Sequence, residues 1–251
     1  TNFAGARSGS YLATLKQAPI LLCWNGNAKY NYLNENVVRY IKTHLADNGQ
    51  VYILGGTAAV PQSLEDALSG FRVKRLAGSN RFETNLLILK EAGVKPGQEI
   101  LVCTGSNYAD SLSASATGLP IFMVYNESGK LTGNQKNWLE TLRDNRFCII
   151  GGENAVGPAL ANTLAGYGAV DRLAGGNRLE TSVMVAQRYF DSPDTVILAY
   201  GWNYPDGLCG GVLAFSRNCP LILTMTGYEQ QAQAYIRSKG IRTGTVLGGD
   251  R

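Results

Sequence analysis

Apolar residues along this chain gather into short unbroken runs instead of alternating with polar ones. Val51–Leu54, Cys148–Ile150 and Val246–Leu247 each end on a glycine pair: Gly55-Gly56, Gly151-Gly152 and Gly248-Gly249. Ala18–Cys23, Ile121–Val124 and Leu221–Leu223 form a second set, marked by Pro19, Pro120 and Pro220. Ile100–Thr104 and Val196–Tyr200 form a third, each leading into a similar loop. Short apolar runs bounded by Gly or Pro read as strands buried on both faces.

Helical spacing fills the intervals. Asn34–Ala46 places Val37, Val38, Ile41 and Leu45 on one face. Helices are also expected over Thr57–Leu68 and Glu153–Leu164, with Pro61 and Pro158 in their first turns, where proline is tolerated. Arg81–Ala92, Arg178–Phe190, Gln135–Arg143 and Glu229–Lys239 complete the set, with small-residue segments Ser111–Gly118 and Gly207–Phe215 suited to close packing of helix on sheet. Strand and helix alternate throughout, so the fold class is α/β, built from βαβ-type units with parallel sheets.

The alternation is itself repeated. Arg75-Leu76-Ala77-Gly78-Ser79-Asn80-Arg81-Phe82-Glu83-Thr84 returns as Arg172-Leu173-Ala174-Gly175-Gly176-Asn177-Arg178-Leu179-Glu180-Thr181, differing only at Ser79/Gly176 and Phe82/Leu179. The chain divides into an incomplete first unit, residues 1–74, a second, 75–171, and a third, 172–251, that stops where the second begins a further helix. The parent protein is expected to extend past one or both ends.

Candidate chemistry lies in the duplicated polar residues. Asn80 and Asn177 are placed as helix N-caps, with Glu83 and Glu180 three residues on in a capping-box arrangement. Arg81 and Arg178 fall in the first helical turn, where a cation opposes the helix dipole by about 0.3–1 kcal/mol. Keeping that charge twice implies a negative partner. It is either an internal carboxylate, such as Asp110 or Asp206, or an external anion, which a helix N-terminus and a guanidinium can hold together. Asp110 and Asp206 could equally cap the helices they precede, and Asn107 and Asn203 shape the same loops. Tyr108, Trp202 and Tyr204 offer flat faces to a sugar ring or pack internally. Each loop follows a strand C-terminus, the edge where open α/β sheets bind ligands. The candidate ligand-binding set is therefore Arg81, Arg178, Asn80, Asn177, Thr84, Thr181, Asn107, Asp110, Asn203 and Asp206.

Composition narrows the function. The net charge of +4 is a mild basic bias without a Lys/Arg run, which fits an anionic partner better than nucleic acid. No apolar stretch reaches the ~20 residues of a membrane-spanning helix. Five cysteines without a CxxC pair, and a single His44, argue against a zinc site and for thiols packed as small hydrophobes. The G-x-S-x-G elbow, the Walker phosphate loop and the G-x-G-x-x-G fingerprint are missing, so no catalytic residue, metal or cofactor is assigned.

The decapeptide R-L-A-G-x-x-R-[FL]-E-T, the segment Asn107–Ser115, the Pro-led runs and Val51–Val60 together resemble the cell wall binding repeat 2 modules of clostridial and related Gram-positive surface proteins. The resemblance runs through nearly the whole chain. It implies three tandem α/β modules in a pseudo-threefold assembly, secreted and wall-associated. They would anchor a larger protein non-covalently by binding an anionic wall polysaccharide or teichoic-acid-like polymer, with no catalysis of their own. Where the second unit has Asn107-Tyr108-Ala109-Asp110, the first has Asn2-Phe3-Ala4-Gly5, with extra residues before Pro19 and no Asp, so the first is expected to bind least. The competing readings are a small-molecule or nucleotide-binding α/β enzyme using a glycine turn, and a scaffold whose repeated polar residues only lock the units together.

Overall fold

The structure is a computed structural model and describes residues 4–26, 28–203 and 205–249. The first unit contains α1 (Ala4–Leu15), α2 (Tyr32–His44), β1 (Gln50–Leu54), α3 (Gln62–Asp66) and β2 (Arg72–Leu76). The second runs α4 (Arg81–Ala92), β3 (Glu99–Thr104), α5 (Ala109–Ala114), β4 (Ile121–Val124), α6 (Gly133–Glu140), β5 (Arg146–Ile150), α7 (Pro158–Ala165) and β6 (Ala169–Leu173). The third has α8 (Arg178–Tyr189), β7 (Thr195–Tyr200), α9 (Pro205–Ser216), β8 (Leu221–Thr224), α10 (Gln230–Ser238) and β9 (Thr243–Leu247).

Each unit carries its own parallel sheet, in the orders β1-β2, β4-β3-β5-β6 and β8-β7-β9. In the second unit β3 is central: Leu101 is in register with Ile121 of β4 on one side and Cys148 of β5 on the other. Ile100 to Cys103 are wholly buried, as a strand covered on both faces must be.

The outer edge of β4 is closed by a side chain. Asn85 of α4, fully buried, donates from Nδ2 to the Ile121 carbonyl (2.8 Å) and accepts at Oδ1 from the Met123 N–H (2.9 Å). One amide thus occupies the two edge positions that a neighbouring strand would fill. In the third unit the Ser182 hydroxyl accepts from the Leu223 N–H of β8 (3.0 Å).

Three equivalent helices meet between the units. α9 packs against α1, α5 and the 3-10 turn Ser115–Thr117, while α4 lies on α1 and α8 on α5. Gly207 and Gly211 let α9 approach the second unit, since a Cβ there would run into Leu112 and Ser115. Gly210 faces the sheet instead, against Leu221 and Leu247. The small-residue segments therefore serve contacts between units as well as helix on sheet.

Several expected elements differ. Ala18–Cys23 is not a strand but irregular and only partly buried; among the described residues no strand lies beside it to form a ladder. The helix expected over Thr57–Leu68 is confined to α3, and that over Glu153–Leu164 to α7. Residues 57–60 and 153–156 form turns, with Val60 N–H and Val156 N–H bonded to the Gly56 and Gly152 carbonyls (3.0 and 3.1 Å). Pro61 cannot donate backwards and holds its own start extended, so helix begins only after it. The extra residues before Pro19 are not peculiar to the first unit: α1 and α9 both have 12 residues, and it is α5, with 6, that is short. β2 and β6 were not foreseen, because Arg72–Leu76 and Ala169–Leu173 mix charged with apolar residues as edge strands do.

Gly175 sits against the start of α8, where an added Cβ would lie 2.7 Å from the Thr181 nitrogen. Gly175→Ala should destabilise the protein by about 1–3 kcal/mol. The expected loss in Tm is several degrees at about 2–4 °C per kcal/mol for a chain of this size. An unchanged thermal unfolding curve would contradict this packing.

Candidate functional site

The repeated decapeptide forms the seam from one unit to the next, and most of its polar groups bond internally. Arg75 and Arg172 end β2 and β6. Arg75 Nη1 donates to the carbonyls of Gly55 (2.8 Å) and Val60 (3.1 Å), while its Nε reaches Glu65 (2.8 Å). Arg172 likewise holds the carbonyls of Gly151 (2.7 Å) and Val156 (2.8 Å). These two arginines fix the loops after the glycine pairs, a role the sequence reading did not assign them.

Asn80 and Asn177 are N-caps as expected, each Oδ1 accepting two backbone N–H groups at 2.9–3.0 Å. The reciprocal half of the expected capping box is replaced. Glu83 instead accepts from Thr132 (3.1 Å) and Asn134 (2.9 Å) at the start of α6, and Glu180 accepts from the Gly176 N–H (2.8 Å). Thr84 and Thr181 are buried, 6% and 2% exposed, and their hydroxyls accept from the Gly78 and Gly175 N–H groups (3.0 and 3.1 Å). Both threonines therefore face inward and shape the turn.

Arg81 and Arg178 occupy the first position of α4 and α8. Each reaches the end of its own unit's central strand: Arg81 Nη1 donates to the Gly105 carbonyl (2.8 Å), Arg178 Nη1 to that of Gly201 (3.0 Å). Arg178 also lies between two rings, with its guanidinium carbon 4.8 Å from the centre of Trp202 and 5.5 Å from that of Tyr108, whose hydroxyl it meets at 3.4 Å. Tyr108 belongs to the second unit and Trp202 to the third, so this guanidinium spans the seam. Such stacking contributes about 0.5–2 kcal/mol, depending on desolvation. Of the two partners considered for this charge, an internal carboxylate such as Asp206 is not in place: among the described residues no carboxylate lies within ion-pair distance of Arg178.

Asp110 and Asp206 lie one position inside α5 and α9, so they are not the caps. As first-turn acids they still favour the helix dipole. Their carboxylates lean over the glycine pairs: a Cβ on Gly151 would run into that of Asp110, and one on Gly248 would lie 3.1 Å from Asp206 Oδ2. Gly151 and Gly248 also have φ of +110° and +124°, which leaves glycine the fitting residue there on both counts. Asn107, exposed, turns its Oδ1 to the N–H groups of Tyr108 (2.7 Å) and Ala109 (3.3 Å). Asn203 in the matching loop and Asp206 in the first turn of α9 are exposed. Asn2, Phe3, Tyr204, Asp250 and Arg251 lie outside the described residues. The structure thus brings Arg178, Trp202 and Tyr108 into direct contact at the sheet's C-terminal edge, with Asn203 in the adjoining loop and Asp206 in the first turn of α9.

The profile of cell wall binding domain 2 (CWB2) matches residues 1–65, 75–161 and 172–251, three repeats over nearly the whole chain. The chain belongs to the cell wall binding domain 2 family. It is 26% identical over 255 residues to the N-acetylmuramoyl-L-alanine amidase LytC of Bacillus subtilis strain 168, covering 99% of this chain and 49% of that protein. It is also 26% identical over 216 residues to the amidase enhancer of the same organism, covering 84% and 28%. Among solved structures it superposes on Cwp8 from Clostridium difficile with a TM-score of 0.84 at 27% identity, over 98% of this chain and 43% of that one. Cwp6 from the same species shares the fold at 22% identity and a TM-score of 0.78, over 97% and 40%. The chain therefore spans half or less of the length of these relatives.

The cysteines are free thiols, and burial pushes those of Cys23 and Cys209 up to about 11, with the Asp206 charge adding to the effect at Cys209. A raised thiol pKa keeps the neutral, unreactive form through pH 8–9 and releases thiolate only as the pH approaches 11. Alkylation of both in the native protein at pH 8 should be much slower than after unfolding in guanidinium. Equal rates in the two states, read by mass spectrometry, would contradict the burial.

Proposed function

We propose that this chain holds a larger protein to the Gram-positive cell wall by binding an anionic wall polymer along the seams between its units. Wall binding is the activity of its family. The observation that carries the anionic ligand is Arg178: a guanidinium bonded to a carbonyl and a phenol, stacked on Trp202 and Tyr108, with its charge unmatched by any carboxylate among the described residues. Trp202 is 48% exposed, so the same edge offers an aromatic face for a sugar beside a positive charge for a phosphate or carboxylate.

The equivalent seam at Arg81, with Asn107 beside it, supplies a second point of contact. Asn80 and Asn177 act through the helix starts they hold. Several modest contacts along one polymer strengthen one another through effective concentration. No catalytic group is assigned to this chain. The relatives include an amidase and an amidase enhancer, and a binding region beside a separate working region is the arrangement that we infer for the parent. Cys23 lines a cavity of about 770 Å³ in the first unit, but its raised pKa makes it a poor nucleophile, which does not favour an enzyme reading there.

Co-sedimentation with purified cell walls tests the proposal. Binding should fall as salt rises from about 0.05 to 0.5 M, because accessible charge pairs are screened. It should be lost when the anionic polymer is stripped from the walls. Trp202→Ala should weaken binding several-fold while leaving Tm within a few degrees. Binding that ignores salt, stripping and this substitution would overturn the anionic-polymer reading.

A further inference from the structure

The second unit keeps an aromatic ring half exposed at its strand ends. Tyr125 directly follows β4 and is 44% exposed. Its ring lies against that of Phe82, with centroids 5.3 Å apart and planes at 37°. Phe82 in turn covers Gly105, where an added Cβ would run into its ring, and Arg81 donates to the carbonyl of the same glycine (2.8 Å). Two consecutive residues of α4 therefore tie a cation and an aromatic pair to one strand end.

The loop that carries Tyr125 is fixed from several sides. Asn126 donates to the Asn154 carbonyl (3.1 Å) and accepts from the Gly157 N–H (2.7 Å), while the Ser128 hydroxyl donates to the Tyr125 carbonyl (2.9 Å). Glu127, exposed, accepts from the Ser106 hydroxyl (2.8 Å), which joins this loop to the one after β3. Among the described residues no cation lies within ion-pair distance of Glu127. A ring held on such a loop has little freedom left to lose, so it is prepared for a ligand. The third unit fills the same places with Leu179 for Phe82, Met225 for Tyr125 and Trp202 for Ser106, so the loop itself does not demand a tyrosine. Both edges nevertheless combine an exposed ring with a charged group. At Trp202 that group is a guanidinium; in the loop of Tyr125 it is a carboxylate.

We propose that Tyr125, backed by Phe82, forms with Glu127 a subsite for a neutral pyranose unit of the polymer. This rests on the wall-polymer reading and adds to it the uncharged part of the ligand. The tyrosine ring takes the apolar C–H face of the sugar. The carboxylate accepts charge-assisted hydrogen bonds from the sugar hydroxyls, and it repels the phosphate or carboxylate of a neighbouring unit. The second unit thereby selects the neutral sugar at this loop, and the negative charge is left to the arginines.

Co-sedimentation with purified cell walls is compared for the intact chain and its variants at about 0.05 and 0.5 M salt. Tyr125→Ala should weaken binding about 3- to 10-fold, by the same factor at both salt concentrations, because no charge is removed. Tyr125→Met, which the third unit shows to be compatible with the loop, should unfold at the Tm of the unaltered chain and bind as weakly as Tyr125→Ala. Tyr125→Phe should keep binding within about 2-fold, since the ring face is retained. A second arm needs no wall. The chain with ¹³C-labelled tyrosine rings is titrated with the methyl glycosides of glucose, galactose, mannose and N-acetylglucosamine to about 0.1 M, a range that captures weak single-sugar binding. At least one should shift the Tyr125 ring signals saturably and leave those of Tyr108 in place. Wall binding unchanged by Tyr125→Ala, or a Tyr125 ring that no glycoside moves, would overturn the subsite. A loss in Glu127→Gln that shrinks as salt rises would overturn the neutral assignment in favour of a cationic unit. A glycoside shift at Tyr125 in a chain whose wall binding ignores polymer stripping would sustain the subsite and overturn the anionic-polymer reading instead.

Discussion

Each described seam between units rests on an arginine that reaches from the first turn of a helix to the carbonyl closing the central strand. That bond sets where the helix starts, and the helix in turn covers the outer edge of the sheet with Asn85 or Ser182. A guanidinium carries five donors in a fixed fork, so it can hold a carbonyl and still present charge outward. A carboxylate partner would cancel that charge. A carbonyl and two aromatic faces orient the group and leave the charge in place.

The same decapeptide contains a second arginine with a different part. Arg75 and Arg172 are bound to two carbonyls each and lock the loops after the glycine pairs. Two arginines in one motif thus divide the work, one building the loop and the other facing the edge. The acids follow the same division: Glu83 bonds at the start of α6 and Glu180 at the start of its own helix, while Asp206 remains exposed in the first turn of α9.

The parallel α/β architecture, the repeat and most helices could be read directly, because buried strands are continuously apolar and caps such as Asn80 and Asn177 have a distinct signature. What escaped was decided by neighbours far along the chain. Ile20–Cys23 has the composition of a strand, but among the described residues no strand lies beside it. β2 and β6 have partners but an edge-strand composition. Of the candidate ligand residues, Thr84 and Thr181 are repeated for the turn they close, a part that repetition alone does not separate from ligand contact. The contact of Tyr108 with Arg178 joins two units, so no local pattern contained it.

The central claim is that Arg178 is positioned to meet external negative charge while Arg172 is not. Side-chain nitrogen spectra of the ¹⁵N-labelled protein, titrated with soluble fragments of the anionic wall polymer, test this most directly. The account requires the Arg178 guanidinium and Trp202 indole resonances to shift in a saturable, salt-sensitive manner while those of Arg172 stay fixed. Saturable binding that moves neither Arg178 nor Trp202, or that moves Arg172 equally, would contradict it.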